Sequence, residues 1–133
     1  MKSKFIGANR LVLYRQYSRA ELGFRQTQLA LMNINEHEKI GFFNLGEEYD
    51  NRLTKMGFIF APRENLNNNR VLGELNRCVI YIFLRNGSVG PYFYLGTSNS
   101  AKRHDKTHLL LKLNPNNVPK EIAEKLGGFQ PLP

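Results

Sequence analysis

Cysteine occurs once in this chain and histidine three times, and neither is arranged to hold a metal. One thiol cannot close an internal disulfide, and Cys78 lies inside the most apolar stretch, where it reads as buried packing. A lone cysteine fits a reducing compartment and a cytoplasmic location. His104 and His108 have a metal-ligand spacing on a helix, but their segment runs from a loop into a strand candidate, where such residues need not converge. With no H-E-x-x-H and no paired C-x-x-C, neither metal nor cofactor is expected. G-x-S-x-G and the Walker phosphate loop are absent as well. No run of eighteen apolar residues occurs, so no membrane-spanning helix is expected. The apolar segment after Met1-Lys2-Ser3-Lys4 is too short for a signal peptide.

Acid is also scarce. Eleven Asp and Glu stand against nineteen Lys and Arg, a net charge of +8. Residues 1–35 carry six basic and one acidic residue, 36–60 three and five, and 61–133 ten and five, so two cationic blocks flank an acidic middle. That balance favours a polyanion, above all nucleic acid. At 133 residues, 41% of them hydrophobic, residues 1–133 make one domain with a single core.

Strands are expected at Arg10–Tyr14, Lys39–Leu45, Met56–Phe60, Cys78–Leu84, from Pro91 through the Tyr92–Gly96 run, and at Thr107–Leu113. Cys78–Leu84 is apolar at nearly every position, which predicts burial on both faces. Ser18-Arg19-Ala20-Glu21 has capping-box spacing and predicts a helix from about Ala20 to Leu31. Pro119 and Gly127-Gly128 bracket a second, short helix. The Asn-rich stretch Pro62–Asn69 reads as a loop. The fold class expected is α+β, a small, mostly antiparallel β-barrel with two peripheral helices.

Binding chemistry gathers in three places. In Gly90-Pro91-Tyr92-Phe93-Tyr94-Leu95-Gly96, strand alternation puts Tyr92 and Tyr94 on one face and Phe93 and Leu95 on the other. Tyr92 and Tyr94 are candidate stacking platforms for a base, with Lys102, Arg103 and Lys106 nearby as phosphate ligands. Tyr49-Asp50-Asn51-Arg52 offers a ring to stack, a carboxylate to accept from an exocyclic amine and an amide to read a base edge. Arg15 and Arg19, in Tyr14-Arg15-Gln16-Tyr17-Ser18-Arg19, are further phosphate candidates. Every one of these residues also has an ordinary structural role open to it in a strand, turn or core. Two other classes fit the chain: a protein-interaction module of a phage or mobile element, and a small nuclease using Asp50 and Glu47 around Mg²⁺.

The Gly90–Gly96 run, the basic loop and Asp105-Lys106-Thr107-His108-Leu109-Leu110-Leu111-Lys112-Leu113 are together similar to a domain at the C-terminus of bacterial restriction-type helicases that carry a phospholipase-D-like nuclease. Tyr49-Asp50-Asn51-Arg52-Leu53 resembles that family's Tyr-acid-acid-Arg-Phe segment, and Tyr14–Glu21 its Tyr-Ser/Thr-Arg opening. The similarity runs in order from about Tyr14 to Ile122. Thr107 stands where the family has a proline before the last strand, and Lys102-Arg103-His104 does not match its His-Glu-Gly loop. The resemblance implies a target-recognition module with a fold like the SRA and PUA barrels. Its partner would be DNA, with RNA also open, and it would read a modified cytosine by base flipping in a restriction or anti-restriction setting. The motor and nuclease would be supplied by another chain or by the rest of a longer protein.

Overall fold

The computed structural model describes residues 10–25, 29–62 and 69–131. It is mostly β: two sheets, one of them curled into a half-barrel, with two helices. The first sheet has the order β1-β7-β6-β3-β2. Its strands are β1 (Gln16–Tyr17), β2 (Leu31–Asn33), β3 (Glu38–Leu45), β6 (Val79–Asn86) and β7 (Tyr92–Ser98). The second has the order β4-β5-β9-β8, built from β4 (Arg52–Thr54), β5 (Gly57–Phe60), β8 (Ala101–Arg103) and β9 (Leu109–Leu111). Among the described residues, six strand pairings are antiparallel, as expected, and one is parallel. The parallel pair is β3 and β6, running in register from Glu38↔Val79 to Leu45↔Asn86. A parallel pair needs a long crossover, and the β4–β5 hairpin and helix α1 (Asn69–Arg77) occupy it.

β6 confirms the reading of a strand buried on both sides. Ile80, Ile82 and Leu84 enter a core between the sheets, with Phe58, Phe60, Leu109 and Leu111 opposite. Tyr81 and Phe83 point the other way, into an aromatic layer with Tyr17, Phe42, Tyr92 and Tyr94. The segment that includes Leu11, Leu22, Phe24, Met32 and Ile34 packs against that layer. β7 alternates as predicted, Phe93 and Leu95 into the first core, Tyr92 and Tyr94 into the second.

The pairing of β6 with β7 slips between Tyr81 and Phe83, and Gly96 supplies the φ of +95° that the bulge requires. A Cβ at Gly96 would run into the carbonyl oxygen of Asn114. That carbonyl accepts from the Thr97 amide at 3.1 Å, and the Asn114 amide returns a bond to Thr97 at 2.7 Å. This bridge stitches β7 to the chain leaving β9.

The expectations at the start of the chain need correction. No strand forms at Arg10–Tyr14, because Arg10 and Tyr14 adopt φ of +47° and +66° and the chain turns at Leu13 and Tyr14. Pairing begins at β1, where Gln16 lies opposite Phe93. The capping box does form: Ser18 N–H donates to Glu21 Oε1 at 2.7 Å and Glu21 N–H to Ser18 Oγ at 3.1 Å. It opens a 3-10 turn, Ala20–Leu22, and not a helix to Leu31. Gly23 turns left-handed at φ +87° and stops it, and Leu31 joins β2. Thr27 and most of the expected Pro62–Asn69 loop lie outside the described residues, and Asn69 itself begins α1.

The α1 helix had no counterpart in the sequence reading. Buried Leu75 and half-buried Val71 and Leu72 form its inner stripe. Asn76 pairs twice with the backbone of Ala101, at 2.9 and 3.0 Å, covering the edge of β8. Helix α2 (Lys120–Lys125) falls where Pro119 and the glycine pair predict it. Gly128 N–H bonds Ala123 O and Gly127 N–H bonds Glu124 O, the two bonds of a Schellman ending.

Candidate functional site

The ends of β3 and β6 stop together. Gly87 N–H donates to Leu45 O at 2.8 Å, and beyond this bond the two chains diverge. The gap is a recess of about 470 Å³, within the range of about 300–1,000 Å³ that holds small ligands. One wall is Gly46, Glu47 and the run Tyr49, Asp50, Asn51, Arg52, which leads into β4. Asn86, Leu126, Gly127, Gly128 and Gln130 form the other wall. Gln130 N–H donates to Leu53 O at 2.8 Å and fastens the chain after α2 to β4. Asn51 Nδ2 donates to Asn44 O at 3.0 Å and fixes the turn to the end of β3. The lining mixes acceptors on Glu47 and Asp50 with donors on Arg52 and amides that do both.

Tyr49, Asp50 and Asn51, neighbours in sequence, all line this recess. Tyr92 and Tyr94 do not join them, and this corrects the expectation of an aromatic platform on β7. Tyr92 is 1% exposed and Tyr94 6%, both on the opposite face of the first sheet from the main core. Tyr92 lies 5.1 Å from the Phe42 ring, centroid to centroid, and the Arg85 guanidinium sits 4.2 Å above it. Burial pushes the Tyr94 hydroxyl pKa well above the ordinary phenol value. A ring sealed on both faces cannot stack on a base.

The phosphate candidates divide in the same way. Arg19 is 6% exposed. Its Nε donates to Tyr92 Oη at 3.3 Å, its Nη1 reaches Arg25 O and Leu29 O, and its guanidinium covers Phe42 at 4.8 Å. It is an interior cation that organises backbone, not a surface ligand for phosphate. Arg15 is exposed, stacked 4.4 Å over Tyr17 and 3.8 Å from Glu21. Lys102, Arg103 and Lys106 are exposed on the hairpin of β8 and β9, the first two within a strand and not in the expected loop.

That hairpin is coupled to the recess by a residue the sequence reading had set aside. His108 Nε2 lies 2.9 Å from Asp50 Oδ1, and His108 Nδ1 lies 2.9 Å from Asp105 Oδ1. Asp105 Oδ1 also accepts from the amides of Thr107 and His108, each at 2.8 Å. The Thr107 amide first, then the His108 ring and its amide, hold the Asp105 carboxyl far below the ordinary range. Partial burial pulls the His108 pKa down, but its bonds to Asp50 and Asp105 outweigh that and leave it above the usual imidazole value. The Asp-x-Thr-His spacing signals the turn, whereas the partnership with Asp50 crosses 58 positions and has no local signature. Arg85 was missed too. It donates to Asn44 Oδ1 at 2.7 Å and Gly90 O at 2.9 Å, joining the end of β3, to which Asn51 is also bonded, to the Tyr92 layer.

Among the described residues, no group of three or more His, Cys, Asp or Glu could hold a metal ion. No helix among them is long and apolar enough to cross a membrane. The chain matches no protein-family model and no curated protein sequence.

Proposed function

We propose that this chain is a nucleic-acid-binding recognition module that accepts one base of DNA in the recess beside Tyr49, Asp50 and Asn51. One observation supports this above the rest: a polar recess of about 470 Å³ has a basic hairpin tied to its rim through Asp50 and His108. Tyr49 supplies the stacking surface, Asp50 and Asn51 the edge contacts, and Arg52 and Gln130 further donors on the same wall. Arg15, Lys102, Arg103 and Lys106 engage phosphates. Stacking and phosphate contacts offset a flipping cost of a few kcal/mol. The recognition of a modified cytosine, and the kinship to SRA and PUA barrels, extend this reading.

Four phosphate contacts predict a slope of about −3 to −4 in log K against log salt for a duplex. Anisotropy titrations of a labelled duplex from 50 to 300 mM salt measure it, and a slope near zero removes the phosphate part of the proposal. Matched duplexes bearing cytosine, 5-methylcytosine or 5-hydroxymethylcytosine test the finer reading. Equal affinity for all three leaves a general nucleic-acid binder. A single-stranded RNA of the same sequence decides the choice of polymer.

A further inference from the structure

Resting on that reading, we propose that His108 is a positioning residue: its protonated imidazole ties the basic β8–β9 turn to Asp50 and so sets the affinity of the recess. The geometry requires the proton. Both ring nitrogens lie 2.9 Å from a carboxylate oxygen, one of Asp50 and one of Asp105. A neutral imidazole has one N–H and one lone pair, so it can donate to one of the two and must present its lone pair to the other.

The Thr107 hydroxyl lies 2.8 Å from Nδ1 and 3.2 Å from Asp105 Oδ1 and can donate to only one of them. While it donates to Asp105, Nδ1–H keeps its own bond to that carboxylate, and the bond lost on deprotonation is the one from Nε2 to Asp50. Asp105 Oδ1 is anchored within the turn by the amides of Thr107 and His108 and by the Thr107 hydroxyl at 3.2 Å. The side chain of Asp50 is 68% exposed, and deprotonation of His108 releases it to water. The groups facing His108 are Asp50 from the β3–β4 connection and Asp105 and Thr107 from its own turn. From β5, Phe60 pairs with the adjacent Leu109 and brings no charge. Arg103, His104 and Lys106 share the hairpin with His108.

Two consequences follow for the recess. While the bridge holds, Asp50 Oδ1 is occupied, which leaves Oδ2 as the acceptor for a ligand amine and disfavours service as a general base. The bridge also holds the turn that carries Lys106 beside the recess, next to Lys102 and Arg103, which the pairing of β8 with β9 already fixes, so that one bound base and its flanking phosphates can meet both walls.

The test has two parts. NMR titration of the ring protons in the ligand-free protein should place His108 above the ordinary imidazole value, with Asp50→Asn lowering it. A His108 value at the ordinary imidazole level, or one that Asp50→Asn leaves unchanged, overturns the bridge. Separately, affinity for a labelled DNA duplex is measured from pH 5.5 to 8.5 at constant ionic strength. It should fall as His108 deprotonates, about tenfold for each unit by which binding raises its pKa. His108→Gln should flatten the profile, and His37→Gln should leave it unchanged. A slope that survives in His108→Gln overturns the coupling. No binding at any pH overturns the nucleic-acid reading and the affinity coupling with it, while the ring titration still decides the bridge.

Discussion

Tyr49 and Tyr92 were equal candidates for stacking on a base, and the structure separates them into one ring at a recess and one in a core. Tyr92→Ala removes a side chain that is 1% exposed, 5.1 Å from Phe42, and that accepts a bond from Arg19 at 3.3 Å. Deleting a buried ring costs about 3–5 kcal/mol. With a urea m-value of about 1.5 kcal/mol/M, the midpoint drops by about 2–3 M, a large part of a marginal total of about 5–15 kcal/mol. Tyr92→Phe keeps the ring but leaves the largely buried Arg19 Nε without that acceptor, at a cost of about 1–3 kcal/mol. Tyr49→Ala, at the rim, should shift stability by no more than about 1 kcal/mol. It should weaken DNA binding by about 1–3 kcal/mol, or about fivefold to 150-fold. Circular dichroism in urea gives the first quantity, and anisotropy on protein verified as folded gives the second. A Tyr92→Ala variant that keeps its midpoint yet loses binding would refute the division, and so would a Tyr49→Ala variant that unfolds.

Three further outcomes are expected. Gly96→Ala meets both a φ of +95° and the Asn114 carbonyl at the seam between the sheets, so it should cost about 3 kcal/mol or more. Gly90→Ala, at φ +90° with open space around it, should cost about 1 kcal/mol, and equal losses would show that the seam contributes nothing. Lys39 is 7% exposed and pairs with Glu74 at 2.7 Å and with Asn33. Since both partners reach water, Lys39→Met should lie within about 1 kcal/mol of the parent. Glu74→Ala strands the buried cation and should cost about 1–3 kcal/mol, and the reverse order would refute this account. The bond to Lys39 lowers the Glu74 pKa, and the amide of Thr107 is the largest cause lowering Asp105. Their stabilisation is present above ordinary carboxylate values and lost as pH falls below about 4. His108, with its pKa raised, contributes below about 6.5 and loses that contribution as pH rises through its folded value. The urea midpoint should therefore peak in mildly acidic solution, and a steady rise to pH 9 would contradict it.

Where hydrophobic pattern and backbone requirement agreed, the fold could be read in advance. β6 is apolar at successive positions because both of its faces are covered. α2 is bracketed by a proline that starts it and two glycines with the positive φ that ends it. The capping box was read correctly and the helix behind it was not, since two side-chain bonds set how a turn begins but Gly23 set how soon it stopped. α1 was invisible because Asn69, Gly73 and Asn76 dilute its stripe, and its docking on β8 is tertiary. Alternation assigned Tyr92 and Tyr94 to one face correctly, but no local pattern says whether a face is open. The covering segment comes from the far end of the chain. The same holds for His108, whose role depends on a turn at Asp50 with which it shares no sequence neighbourhood.

The position of the recess follows from the parallel pairing of β3 with β6. Antiparallel neighbours turn back on each other and close their ends with a hairpin, whereas β3 and β6 finish side by side at Leu45 and Asn86 and leave in different directions. Gly46, at φ +130°, bends the first chain toward β4, and the second enters the turn to β7. The space outside such carboxyl ends is where open α/β sheets place their ligands, for the same geometric reason. Here the walls come from the turn after β3 and the segment after α2, pinned by the Gln130–Leu53 and Asn51–Asn44 bonds. Breaking the side-chain pin should therefore weaken ligand binding without disturbing the core. Asn51→Ala, which removes the bond to Asn44 and one edge contact together, should lower affinity more than Gln130→Ala, whose backbone bond to Leu53 survives the change. Equal effects on affinity would indicate that the recess does not depend on the order of its turn.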